Sequence, residues 1–194
     1  MEPRPARDRV LVFNAGSSSL KLSVIGAGEE VDARCDIDRW DGSADAAELR
    51  DYLGALAAAP GRPTAIGHRV VHGGSLYTRA VAVDDAVRAG IASLTPLAPL
   101  HQPRALAGIE AATAAFPGLP QVACFDTAFH RAMPELAQRF PLPRQLWSEE
   151  LKRYGFHGLS YEYIAGVLGP DALTRTIIAH RGWRPGSRHY RDGR

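Results

Sequence analysis

Arg69 stands in an otherwise apolar run, AIGHRVVH (Ala65–His72), where a guanidinium is costly to bury unless an anion or a carboxylate meets it. Asp126 closes a second apolar run, QVACF (Gln121–Phe125), and His101 and His157 lie in loops rich in proline or glycine. A third stretch, FNAGSSSLKLS at Phe13–Ser23, gathers Asn14, Ser17, Ser19 and Lys21 around a tight polar turn. Free backbone N–H groups, hydroxyls and one ammonium at such a tip suit an anion with several oxygens, such as a phosphate. Together these residues fit one chemistry, phosphoryl transfer to or from a small carboxylate. That reaction needs cations around the moving phosphoryl group, a phosphate-binding turn and a carboxylate anchor. Lys21, Arg69 and His157 would supply charge, the serine turn would hold phosphate oxygens, and Asp126 would orient the reacting carboxyl oxygen or handle its proton. Lys21, Arg69, Asp126 and His157 are then expected to rim one cleft. Taken singly, each signal has a plainer structural alternative. The turn can be an ordinary serine-rich hairpin, Arg69 half of a structural ion pair, Asp126 a cap or turn carboxylate, and each loop histidine a solvent-facing side chain.

Other chemistries fit less well. A Walker-type phosphate loop needs GxxxxGK[ST] before a helix, but Gly16 is the only glycine of this turn and Lys21 lies beyond the serines. Of the seven histidines only His68 and His72 stand at i, i+4 spacing, and they fall in an expected strand and not on a helix, which argues against a transition-metal site. Cys35 and Cys124 are the only cysteines and lack CxxC spacing; Cys124 is expected to be a reduced, buried small residue. The formal net charge of +2 makes no demand for nucleic acid or an anionic membrane. No apolar run approaches the roughly 18 residues of a membrane span, and no signal peptide is evident, so the expected location is cytoplasmic.

The elements that must position these residues alternate between two periods. Val10–Phe13 (VLVF) reads as a strand buried on both faces. After the turn, Leu20, Leu22 and Val24 share one face of a second strand and Ser19, Lys21 and Ser23 the other. The Asp-rich segment Asp32–Ala47 has no clear reading. Helices are expected over Ala47–Ala59, after the N-cap Asp84, over Pro103–Phe116, Pro134–Phe140 and Pro143–Lys152, and from a cap at Ser160 to Leu168. Strands are expected at Ala65–His72, Gln121–Phe125 and Thr174–His180. An opening β-hairpin followed by alternating strands and helices gives an α/β class with a mixed sheet, whose ligands would collect at the C-terminal strand ends.

Five segments in this order resemble acetate kinases: VLVFNAGSSSLKLSV (Val10–Val24), GHRVVHGG (Gly67–Gly74), LAPLHQP (Leu97–Pro103), FDTAFHRAMPE (Phe125–Glu135) and RYGFHGLS (Arg153–Ser160). The resemblance runs from about Arg9 to His180. It implies a ribonuclease H-like sheet of the actin/Hsp70/sugar-kinase superfold, and reversible transfer of a phosphoryl group from ATP to acetate with Mg2+ or Mn2+, on a route to acetyl-CoA. By the same resemblance Asn14 helps hold the metal, Lys21 binds ATP phosphate, and Ser17 and Ser19 line the phosphate loop. Arg69 binds the acetate carboxylate or the acyl phosphate, and Val71, Leu100 and Phe156 line the pocket for the methyl group. Asp126 is the acid/base or orienting carboxylate, His101 sits beside the phosphoryl path, and His157 stabilises the charge that develops in transit. A homodimer is implied for full-length members, with no nucleic-acid or membrane partner.

The chain departs from the family pattern at its end. Family members continue from the last strand into HLGNG, a turn that contacts ATP phosphates. Here the sequence is His180-Arg181-Gly182-Trp183-Arg184, so only His180 and Gly182 are retained as phosphate contacts. The last fourteen residues hold five arginines, three glycines and no aliphatic side chain, as a reading frame shifted near Arg181 would produce. The expected organisation is an acetate-binding kinase domain over 1–172 and the start of a second, nucleotide domain over 173–194, truncated and aberrant after His180. The chain alone is then expected to have little or no kinase activity. The alternatives are a propionate or butyrate kinase of the same family, and a non-catalytic remnant or partner-binding module.

Overall fold

The computed structural model describes residues 8–148, 151–172 and 176–179. A six-stranded mixed sheet runs in the order β3-β2-β1-β4-β6-β5. Its strands are β1 (Arg9–Ala15), β2 (Ser19–Gly26), β3 (Val31–Asp38), β4 (Ala65–Val70), β5 (Val81–Ala82) and β6 (Gln121–Phe125). β1, β4 and β6 are mutually parallel neighbours; β2, β3 and β5 extend the two edges antiparallel. The helices are α1 (Ala47–Ala58), α2 (Asp85–Ser93), α3 (Gln102–Ala115), α4 (Glu135–Gln138) and α5 (Gly158–Ala172), the last broken by a positive φ at Gly169.

One face of the sheet is the core. Leu11 and Phe13 of β1, Leu20, Leu22 and Val24 of β2 and Ile66 of β4 are buried against Leu49 and Leu53 of α1 and Ala111, Ala112 and Phe116 beside α3. A second cluster joins Val70, Ala123 and Phe125 to Ile91 of α2 and Ile109 of α3. Each residue in these strands alternates with one on the opposite face. The expectation that Val10–Phe13 is buried on both sides therefore fails. Val10 is exposed and Val12 half-buried, because α1 and α3 pack on one side only and α5 covers part of the other, near β6.

Several local readings also change. The unplaced Asp32–Ala47 segment contains β3, an edge strand whose inward residues are only Ala33, Cys35 and Ile37, too small a stripe to stand out in sequence. The strand Ala65–His72 stops at Val70, and Val71–Gly74 continue as a loop. The helix expected over Pro143–Lys152 reduces to one 3-10 turn, Arg144–Leu146. Trp147 is extended and its indole N–H donates to the Leu142 carbonyl, while the Ser148 hydroxyl accepts from the Leu151 N–H, a local bond that competes with helix continuation. Ser160 does not cap α5; the helix begins at Gly158, two residues earlier. Residues 176–179 pair with no strand among the described residues, and Ile177 is fully open to solvent, so the strand expected at Thr174–His180 is absent there; its other residues lie outside the described residues. The helix N-capped by Asp84 forms as expected, with the Val87 N–H donating to Asp84 Oδ1 at 2.7 Å.

Candidate functional site

Register builds the site. Lys21 pairs with Asn14 across β2 and β1, and Asn14 pairs with Arg69 across β1 and β4. Directly paired residues share a face, so Lys21, Asn14 and Arg69 form one polar row on the face that the core helices leave uncovered. Asp126 follows β6 by one residue and reaches the same row from the far side. The Arg69 Nε donates to both Asp126 oxygens at 3.2 and 3.1 Å, its Nη2 to Oδ2 at 2.5 Å, and its Nη1 to Asn14 Oδ1 at 2.9 Å. The ion-pair alternative for Arg69 is therefore realised, and its partner is the other expected site residue. A guanidinium carries five N–H groups. These bonds engage one on each nitrogen and leave one on Nη1 and one on Nη2. Asp126 is buried while the Arg69 side chain is 24% exposed, so the pair has an inner carboxylate and an outer cation.

An open cavity of about 430 Å3 lies over this pair, lined by Arg69, Val71, Leu100, His101, Asp126, Phe156 and His157, with Leu97–Pro99 along one lip. All seven are residues singled out by sequence. The pair His101–Leu100 arrives at the N-terminus of α3, where Ala98 accepts from the His101 N–H. Burial, then the nearby Arg69 and Arg104 cations, push the His101 imidazolium pKa down, with Asp126 opposing them. A neutral ring follows at pH 7. His157 has a positive φ of 57° and ends the loop at the start of α5, where its carbonyl accepts from the Ser160 and Tyr161 N–H groups. Gly158 holds that junction to the strand end: its N–H donates to the Asp126 carbonyl at 3.0 Å, and a Cβ there would sit 2.1 Å from that oxygen.

The hairpin tip stands beside this cavity and does not line it. Ser17 and Lys21 are exposed and Ser19 half-buried, and the Gly16 N–H donates to the Ser19 carbonyl at 2.8 Å to close the turn. The Lys21 side chain makes no hydrogen bond or ion pair with another described residue. Arg69, Asp126 and His157 thus rim one cleft as expected, whereas Lys21 lies two strands away on the same face. His180 and Gly182 lie outside the described residues.

A divalent metal has few protein ligands to use here. Among the described residues no three His, Cys, Asp or Glu side chains cluster around a common point. Asn14 Oδ1 keeps one acceptor site after its bond from Arg69. That donor set suits Mg2+ carried on nucleotide phosphates, which needs only one or two protein contacts, and not a protein-enclosed ion.

Three contributors escape a sequence reading. Gln102 and Thr127 are fully buried, and the Thr127 Oγ1 accepts from the Gly73 N–H at 2.9 Å, which ties the loop after β4 to the loop after β6. Arg104 places a second cation near His101 and donates to the Leu100 carbonyl. Their only signal in sequence was adjacency, one to three residues from His101 or Asp126.

Comparison with known proteins places this arrangement among relatives. The model of the acetokinase family matches residues 56–182. An acetate kinase of Pseudomonas aeruginosa is 44% identical over 184 residues, an alignment that covers 83% of this chain and 46% of the relative. An acetate kinase of Nitrobacter hamburgensis is 42% identical over 208 residues, covering 90% and 52% respectively. The solved structure of an acetate kinase from Porphyromonas gingivalis superposes with a TM-score of 0.73 at 31% identity, over 81% of this chain and 47% of the other. A propionate kinase from Francisella tularensis gives a TM-score of 0.69 at 32% identity, over 82% and 48%. The chain spans about half the length of the curated relatives it matches.

Proposed function

Because this chain belongs to the acetokinase family, we propose that its strand-end cluster serves the reversible transfer of the terminal phosphoryl group of ATP to acetate, giving acetyl phosphate and ADP. The observation that carries this reading is the polar row Lys21–Asn14–Arg69 with Asp126 behind it and an apolar wall in front. The two unengaged Arg69 N–H groups face one carboxylate or one acyl phosphate, and Val71, Leu100 and Phe156 face its methyl group. Asp126 holds the guanidinium at a fixed angle, which lowers the entropy lost when the substrate binds. Neutral His101 donates a hydrogen bond to the transferring group without adding charge to a site already cationic, and His157 meets the group from the opposite wall.

In the transfer a carboxylate oxygen forms a bond to the γ-phosphorus as the bond to the bridging oxygen of ADP breaks. The electron pair leaves with ADP, and no proton needs to move. Lys21, Ser17 and Ser19 hold phosphate oxygens from the hairpin side, with His180 and Gly182 as further phosphate contacts. Asn14 would contact a nucleotide-borne Mg2+, which neutralises phosphate charge when bound. The division into a carboxylate-binding domain over 1–172 and a nucleotide segment over 173–194 belongs to the same proposal. So do a cytoplasmic setting and the homodimer of full-length members. Among the described residues no helix is long and apolar enough to cross a membrane.

The test is an ATP–acetate assay with acetyl phosphate trapped by hydroxylamine, run beside a full-length relative. The expected result is measurable acetate binding with turnover far below the relative's, since the chain spans about half the length of the relatives it matches and the transfer depends on charge on every side of the phosphoryl group. A chain that neither binds acetate nor forms acetyl phosphate would refute the proposal. The open cavity of about 430 Å3 favours one second reading, a three- or four-carbon acid in the same place. Since one methylene is worth only about 1–3 kcal/mol of discrimination, the ratio of acetate to propionate turnover decides between them.

A further inference from the structure

Gln102 is fully buried beside His101, yet it does not touch the cavity. Its Nε2 donates to the His72 carbonyl at 3.0 Å and to the Ile91 carbonyl at 3.3 Å, while its Oε1 has no partner. His72 is buried in turn. Its Nδ1 accepts from the Gly74 N–H at 2.9 Å, so the ring proton is on Nε2. The ring packs edge-on to Tyr154 and Phe156, with centroids 4.5 and 5.6 Å apart. Phe156 is anchored from behind, where its carbonyl accepts from His130 Nε2 at 3.0 Å. The two apolar walls of the cavity, Val71 beside His72 and Phe156 against the His72 ring, are therefore referred to one amide.

We propose that Gln102 is a positioning residue of the acid pocket: it pins the His72 backbone and so sets the spacing between Val71 and Phe156 that admits a short acyl chain. A buried amide oxygen left unpaired is unfavourable for a residue selected for core packing alone, since an apolar side chain of the same length would avoid it. The donors do the positioning; the acceptor is the cost. The inference rests on reading the cavity as a carboxylate site, and the experiment separates the two.

Gln102→Met keeps length and removes both donors together with the orphan acceptor. Gln102→Asn keeps the amide but is one methylene short of the His72 carbonyl, and it serves if the methionine chain does not fold. The probes are sodium acetate and sodium propionate titrated into the whole chain, with the Val71 methyl and Phe156 ring signals followed by NMR. In either variant the ligand-free signals of Val71 and Phe156 should shift or broaden. Acetate affinity should fall at least tenfold, the acetate-to-propionate ratio should move towards one, and inorganic phosphate affinity should stay as in the parent chain. If the variants change only the melting temperature and leave those two signals and the acetate affinity alone, Gln102 is a core residue and the proposal is overturned. If the parent chain ignores acetate while Val71 and Phe156 still move in the variants, the positioning role stands and the acid assignment of the cavity falls.

Discussion

His68 and Arg69 are neighbours on β4 and point to opposite faces of the sheet. His68 enters the helix-covered face, where it is buried, packs on Phe13 and bonds Gln121 Oε1 at 2.7 Å. Burial drives its pKa down from 6.5 to about 4, with the Gln121 bond opposing. Arg69 enters the other face, where Asp126 and Asn14 meet its charge. One strand thus carries a base held neutral beside a cation held charged. The lesson is that helix packing assigns the chemistry: the face that α1 and α3 cover expels charge, and the face they leave open collects it.

Breaking the open face should produce the largest effect. Arg69→Ala leaves the buried Asp126 carboxylate without its cation. We expect a loss of about 3 kcal/mol or more in urea unfolding, and a fall of at least about 10²-fold in acetyl phosphate formation. Asp126→Ala should lose comparable activity but less stability, because the partly exposed Arg69 can turn to water. Equal stability losses from the two variants would contradict the inner–outer asymmetry of the pair.

The covered face should reveal itself through pH. The folded His68 pKa lies below its unfolded value, so the unfolded chain binds the extra proton between pH 6.5 and about 4. The stability this group contributes is present in full above pH 6.5 and is lost as pH falls towards 4. The loss amounts to about 3 kcal/mol over that window. His68→Asn should remove most of that slope while leaving acetate binding intact. A parent chain whose stability is flat from pH 6.5 to 4 would mean that His68 is not desolvated.

The hairpin tip should respond more weakly and in function only. Lys21→Ala is expected to lower affinity for acetyl phosphate about tenfold, the scale of one charge-assisted hydrogen bond, with unfolding free energy unchanged within about 0.5 kcal/mol. Ser17→Ala should cost the least, about two- to fivefold in the same titration, since a neutral exposed hydroxyl adds one ordinary bond. A Lys21→Ala chain that unfolds readily would show the lysine to be structural.

The legible and illegible parts of this molecule divide along the same line. Gln121–Phe125 and the Asp84-capped helix were readable because period and cap chemistry are local. The polar row was readable in composition, since Asn14, Lys21 and Arg69 interrupt apolar strands. Its assembly was not, because it depends on β1 pairing in parallel with β4 across 55 residues of chain. Strand β3 was missed because Asp32, Arg34, Asp36 and Asp38 dominate its composition while only small residues face inward. The helix expected over Pro143–Lys152 failed because a Trp147–Leu142 bond and the Ser148 hydroxyl outweigh propensity there. Gln102 carried no signal beyond its adjacency to His101, since a buried glutamine between His101 and Pro103 looks like any helix-start residue.

The central claim is that the strand-end cluster and the hairpin tip grip one phosphoryl-bearing ligand together. Titrating acetyl phosphate into the chain and following backbone amides by 1H–15N NMR tests it most directly. Amides of Gly16–Lys21 and of Arg69–Val71, His101 and Asp126 should move along one binding curve with one midpoint. Movement confined to one group, or two groups with different midpoints, would show that the row Lys21–Asn14–Arg69 is a neighbourhood and not a site.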